Sequence, residues 1–281
     1  MYQVNFIKKI REIGNSGELS SIAVIDTGTN SHPDLVDNMN LQGCAVFGSS
    51  NPNVKILNQN SDHGAKVTSV ICATNNKFKL GVANKSKYIP IRVRNEDGLL
   101  AEKILLALDY ASTLPIDLIN ISVICPSTAY RQDLDKILER LYQKNIPVIC
   151  AAGNAGSRCS CYPACNKYSF SVGSANIETM KIASYSNWGY CVDFLVPMEG
   201  YITTKNEDSY KVSHGTSYGC AILSGVISII ITQLKIKGIP IDIEYIRSII
   251  IDSCINTKNL EGLSKHGIIC PEKLVFNILK I

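Results

Sequence analysis

No dense basic tract runs anywhere in this sequence. Lys and Arg total 28 against 24 Asp and Glu, the formal net charge is only +4, and the cations are scattered. Nucleic acid is therefore not an expected partner, because phosphate binding draws on clustered positive charge. A signal-peptide core is also missing. The first twenty residues, MYQVNFIKKIREIGNSGELS, hold no apolar stretch of the length secretion needs. The expectation is a cytoplasmic location, with residues 1–20 as an N-terminal extension. In that reducing compartment the 11 cysteines are expected as thiols, and their odd number leaves one unpaired in any case. A membrane-length span is lacking too. The run GCAILSGVISIIITQL, residues 219–234, is short for one and is interrupted by Ser224, Ser228, Thr232 and Gln233. It predicts a helix buried on most sides within a folded core, and no membrane partner is expected.

No repeat, low-complexity linker or composition shift divides the chain, so one domain over residues 1–281 is expected. Hydrophobic residues at 46% and charged residues at 19% exclude a disordered chain and supply a sizeable core. Four short apolar runs, 21–25, 88–93, 117–123 and 147–151, have the length and continuity of strands buried on both faces. Helical patterns lie between and after them, at 64–73, 101–112, 134–142, after Ser217, and at 241–251. That alternation predicts an α/β fold: a doubly wound, mostly parallel sheet with helices on both faces.

Histidine is scarce, with four in the chain, and one of them stands at the start of a helical pattern in Asp62-His63-Gly64. Asp26 closes the first strand, placed to accept a hydrogen bond and orient a partner. A lone Asp of this kind also serves as a turn or cap residue. Ser217, in His214-Gly215-Thr216-Ser217, directly precedes the long apolar helix, where a hydroxyl meets free backbone N–H groups. Asn154 follows the fourth strand in Ala151-Ala152-Gly153-Asn154 and carries an amide able to donate to a developing oxyanion. Each also has a plain structural reading, as a cap or a turn residue. Two other sites are excluded. An aspartic-peptidase site needs two Asp-Thr-Gly carboxylates and the chain has one. No Gly-x-Gly-x-x-Gly follows the first strand, which argues against dinucleotide binding.

Taken together and in order, these segments resemble the subtilisin-like serine peptidases of the subtilase family, of the intracellular type without a prodomain. IAVIDTGTNSHPDL resembles the segment around the family's catalytic Asp. DHGAKVTSVICA resembles its His segment in part, with Ala65 and Lys66 where Thr and His are usual. ICAAGNAG is similar to its oxyanion segment and HGTSYGCAILSGV to its nucleophile segment, with Cys220 and Ala221 replacing the usual Ser and Pro. The resemblance implies a serine endopeptidase with Asp26, His63 and Ser217 as triad and Asn154 in the oxyanion hole. It also implies a peptide or protein substrate bound as an extended strand, touching Gly98, Leu100, Ser122, Val123, Ile124, Ala152, Gly153 and Cys161. Ile124 stands where the family usually has Gly, and bulk there implies restricted specificity, such as leader-peptide or precursor processing. An inactive peptide-binding module of the same fold is the alternative. No cofactor is expected. The family often binds calcium, but the loop at 75–80 carries Lys77 and Lys79, which disfavour a cation. Cys159, Cys161 and Cys165 lack a fourth ligand at a familiar metal spacing and are expected as thiols bordering the specificity pocket.

Overall fold

Alternation of side chains along each buried strand decides the architecture. In the computed structural model, which describes residues 2–47, 57, 62–74, 78, 80–95, 98–99, 101–125, 130–197, 200–205 and 209–281, the four apolar runs become β1 (Ser21–Asp26), β2 (Lys87–Arg92), β3 (Leu118–Ile121) and β4 (Val148–Ala151). They pair in parallel in the order β2-β1-β3-β4. Two further parallel strands continue the sheet, β5 (Ser169–Asn176) and β6 (Phe194–Pro197). Ala45–Val46 closes one edge in parallel, and Ile268–Ile269 then Cys254–Ile255 close the other, the last pair antiparallel. Successive residues point to opposite faces, so Ile22 and Val24 enter one core while Ala23 and Ile25 enter another.

Helices cover both faces, as a mostly parallel sheet requires. On the first lie α1 (Tyr2–Ile10), α2 (Asp62–Cys72), α5 (Thr216–Ile236), α6 (Ile243–Asp252) and α7 (Pro271–Leu279). On the second lie α3 (Ala101–Ala111) and α4 (Arg131–Gln143). α5 is long and apolar enough to cross a membrane, yet 83% of its apolar window is buried inside the protein. It fills the centre of the first core against β3, β4 and β5.

Two parts of the fold went beyond the sequence reading. Residues 2–20 are no mere extension, since Phe6, Ile7, Ile10 and Ile13 are buried in the first core. Their spacing forms one apolar stripe on α1 and the turn after it. β5 escaped notice because its sequence, SFSVGSAN, dilutes the apolar signal with Ser169, Ser171 and Ser174, all fully buried.

Gly64 fixes how α2 meets β1. A Cβ there would stand 2.0 Å from the carbonyl oxygen of Gly28 and 3.2 Å from the Cβ of Asp26. Its amide donates to Thr27 Oγ1 at 3.0 Å, tying the helix start to the strand end. Backbone cannot yield as a side-chain tip can, so Gly64→Ala is expected to destabilise the fold by about 3 kcal/mol, read as a lower midpoint in urea.

Candidate active site

The chain runs from β1 outward to β2 and returns to the other side of β1 at β3, so the winding reverses between β1 and β3. Such a reversal opens a crevice beyond the carboxyl ends of the strands, where ligands bind in open α/β sheets. Asp26 ends β1, residues 122–124 follow β3, residues 152–155 follow β4, and the N-termini of α2 and α5 face the same crevice. A cleft of about 560 Å³ lies there, walled by Thr27, His63, Ser122, Val123, Ile124, Ala151, Gly153, Asn154, Ala155, Cys161, Asn187, Thr216 and Ser217.

Asp26 is fully buried. Its Oδ1 accepts the Thr27 amide at 2.6 Å and lies 2.8 Å from Nδ1 of His63. A carboxylate only accepts, so Nδ1 carries the proton and Nε2 is left as the proton acceptor. Oδ2 is buried with no hydrogen-bond partner among the described residues. A buried carboxylate satisfied at one oxygen gains from a cation alongside, and a protonated His63 would supply it. The imidazole itself is partly open, its side chain 34% exposed on the cleft wall.

Ser217 opens α5 and is nearly buried. Its Oγ donates to the Ser122 carbonyl at 3.2 Å, and Ser122 Oγ donates to the Ser217 carbonyl at 3.2 Å. This reciprocal pair clamps the helix start onto the chain leaving β3. The clamp extends inward, where Asn120 Nδ2 donates to Ser122 Oγ while its Oδ1 accepts from Ser224 Oγ and from the Cys220 thiol. Burial pushes the Cys220 thiol up to about 12, so it stays a protonated donor.

Asn154 is exposed to the cleft, and its orientation is set by Thr216. The Thr216 amide and hydroxyl both donate to Asn154 Oδ1, at 2.8 and 3.0 Å. The oxygen is thereby fixed against α5, and Nδ2 remains as a donor. Thr216 Oγ1 also accepts the Gly153 amide at 3.1 Å. Behind the loop, Asn187 Nδ2 donates to the Ala152 carbonyl, and its Oδ1 accepts the amides of Ala155 and Ser157. Gly153 adopts φ +104°, and a Cβ there would sit 2.4 Å from Asn187 Nδ2. An amide held in this way is a preorganised donor, of the kind whose loss lowers kcat by about 10² to 10³ where it meets a developing oxyanion, and an effect of that size, with little change in KM, is the expectation for Asn154→Ala. Steady-state kinetics on a peptide substrate checks it.

Of the residues expected to touch substrate, Ser122, Val123, Ile124, Gly153 and Cys161 lie on the cleft wall. Ala152 does not. Its side chain points into the core under α3 and α4, and its amide and carbonyl are taken by Val172 and Asn187. The period of two along β4 puts Ala151 on the cleft side instead. Gly98 lies in a short strand, Gly98–Leu99, paired with Arg94–Asn95, and Leu100 falls outside the described residues. Thr27, Thr216 and Asn187 were not singled out from the sequence. Thr216 lay inside the Gly-Thr-Ser segment, but Asn187, in YSNWG, carried no local signal.

The departures near His63 form their own cluster. Lys66 and Lys211 both bond Asp62 Oδ2. Burial raises the Asp62 pKa, but the two lysines outweigh it and hold the carboxyl below its usual range. All eleven cysteines are free thiols, and among the described residues no three metal-ligating side chains converge. Part of the loop at 75–80, residues 75–77 and 79, lies outside the described residues.

The sequence model of the Subtilase family matches residues 17–267. Subtilisin BL of Lederbergia lenta is 28% identical over 219 residues, covering 77% of this chain and 78% of that protein. Two solved structures share the fold. The protease domain of PatA has a TM-score of 0.79 at 20% identity, covering 95% of this chain and 97% of its own. The prenylagaramide maturation protease PagA has a TM-score of 0.80 at 20% identity, covering 97% and 98%.

Proposed function

This chain belongs to the subtilase family and is a serine endopeptidase, and on that premise we propose that Asp26, His63 and Ser217 are its triad and that it processes precursor peptides at few positions. The observation that carries the reading is the 2.8 Å contact of His63 Nδ1 with buried Asp26, at the wall of the cleft that also holds Ser217 and Asn154.

Ser217 Oγ attacks the peptide carbonyl as His63 Nε2 takes its proton. Asp26 keeps the imidazole in the tautomer that leaves Nε2 free and stabilises the imidazolium. Charge then develops on the carbonyl oxygen. The Ser217 amide, among the first N–H groups of α5 and without an intrahelical partner, and Asn154 Nδ2 meet it. His63 returns the proton to the leaving amine, and water hydrolyses the acyl-enzyme.

The substrate lies as an extended strand beside residues 122–124. Ile124, 37% exposed, narrows that wall where a smaller residue would leave room. Steric selection of this kind supports cleavage of a few sites over general digestion. PagA, which shares the fold, is itself a maturation protease by name. Mass spectrometry of products from a library of unrelated peptides tests the proposal. Cleavage confined to a few related sequences is expected. Indiscriminate cutting would remove the processing role, and absence of any cleavage would remove the peptidase reading.

A further inference from the structure

We propose that Cys159 and Cys165 are a peroxide-sensitive pair whose oxidation to a disulfide reshapes the substrate cleft through Cys161. The proposal rests on the cleft being the peptide site. Cys159 Sγ and Cys165 Sγ are 3.6 Å apart, against about 2.05 Å in a disulfide, so side-chain rotation covers most of the difference. Between them in sequence, Cys161 lines the cleft beside Asn154 and Ser217. Its Sγ lies 3.7 Å from Asn187 Nδ2, the amide that holds the oxyanion loop through Ala152. Cys159 supports that loop too, donating to the same Ala152 carbonyl at 3.3 Å.

The rest of the segment is anchored. The Cys125 amide donates to the Tyr162 carbonyl at 2.8 Å, and Tyr162 Oη and Asn166 Nδ2 both donate to Asp135 on α4. Movement of Cys159 is therefore confined to the stretch that carries Cys161. Peroxide transfers one oxygen to the partly exposed Cys165 thiol, giving a sulfenic acid and one water. The buried Cys159 sulfur attacks it, the S–S bond forms, and the sulfenic oxygen leaves as a second water. Cys159 then no longer donates to Ala152. At neutral pH the hydrogen bond to Cys159 and burial keep Cys161 protonated. The bond from Cys161 lowers the Cys159 pKa, but Cys165 and burial outweigh it and push it up to about 11. Oxidation should quicken as pH rises.

The full chain and its Cys159→Ser and Cys165→Ser variants are exposed to millimolar hydrogen peroxide. Intact mass should fall by about 2 Da in the parent alone, with peptide mapping placing the bond at 159–165. Peptidase kcat/KM should fall about tenfold and return with dithiothreitol, while Cys165→Ser under peroxide keeps the activity it has without it. Iodoacetamide should alkylate Cys161 several-fold faster in the oxidised parent, a readout that needs no peptidase activity. A bond elsewhere, no bond, or an unchanged Cys161 rate overturns the proposal. A chain that forms the bond and exposes Cys161 but never hydrolyses peptide fails the peptidase reading instead.

Discussion

Ser217→Ala should remove peptide hydrolysis almost completely, lowering kcat on the order of 10⁶-fold, the size known for nucleophile removal in the related subtilisin and carried over here. KM should barely move, since the cleft walls that meet the substrate are untouched. The fold should survive. Among the described residues Ser217 Oγ makes one hydrogen bond, to the Ser122 carbonyl, and losing it costs about 1 kcal/mol. The return bond, from Ser122 Oγ to the Ser217 carbonyl, is kept because it uses backbone. A fluorophosphonate probe should label the parent at Ser217 and leave the variant unmodified. Labelling that persists in the variant would remove Ser217 from the mechanism.

Asp26→Asn should cost roughly 10⁴ in kcat, as loss of the equivalent charge does in serine-peptidase triads generally. The local geometry explains why no orientation of the new amide rescues activity. With its oxygen in the Oδ1 place, the introduced side chain still accepts from Thr27 and His63, but the charge that stabilises imidazolium is gone. Its NH₂ then occupies the buried Oδ2 place, which has no partner among the described residues. Turned over, it donates to Nδ1 and forces the proton onto Nε2, the atom that accepts from Ser217 in the proposed mechanism. It also loses the Thr27 amide. KM should stay close to that of the parent, because Asp26 is fully buried and never meets substrate. A rate within tenfold of the parent would show that Asp26 does not orient His63.

What could be read from the chain alone was whatever short-range pattern dictates. A continuous apolar run such as IAVID becomes a buried strand wherever it is placed, so Asp26 had to emerge at a strand end. The order of the Asp, His, Asn and Ser segments needed no coordinates, and neither did the glycine beside His63. Tertiary structure decided which of these groups meet. Asp26 and His63 are 37 residues apart, and Thr216 and Asn154 are 62 apart. Such contacts depend on sheet register and helix docking, which no local window contains. Alternation along β4 put Ala151 and Ala152 on opposite sides, and only the packing of the sheet decided that Ala151 met the cleft and Ala152 the core. Asn187, buried and silent in sequence, became the support of the loop around Gly153 and Asn154 only once β4 and β5 lay side by side. Propensity and periodicity act over a few residues, whereas a site assembles across the whole chain, so the types of its groups were legible before their partners were.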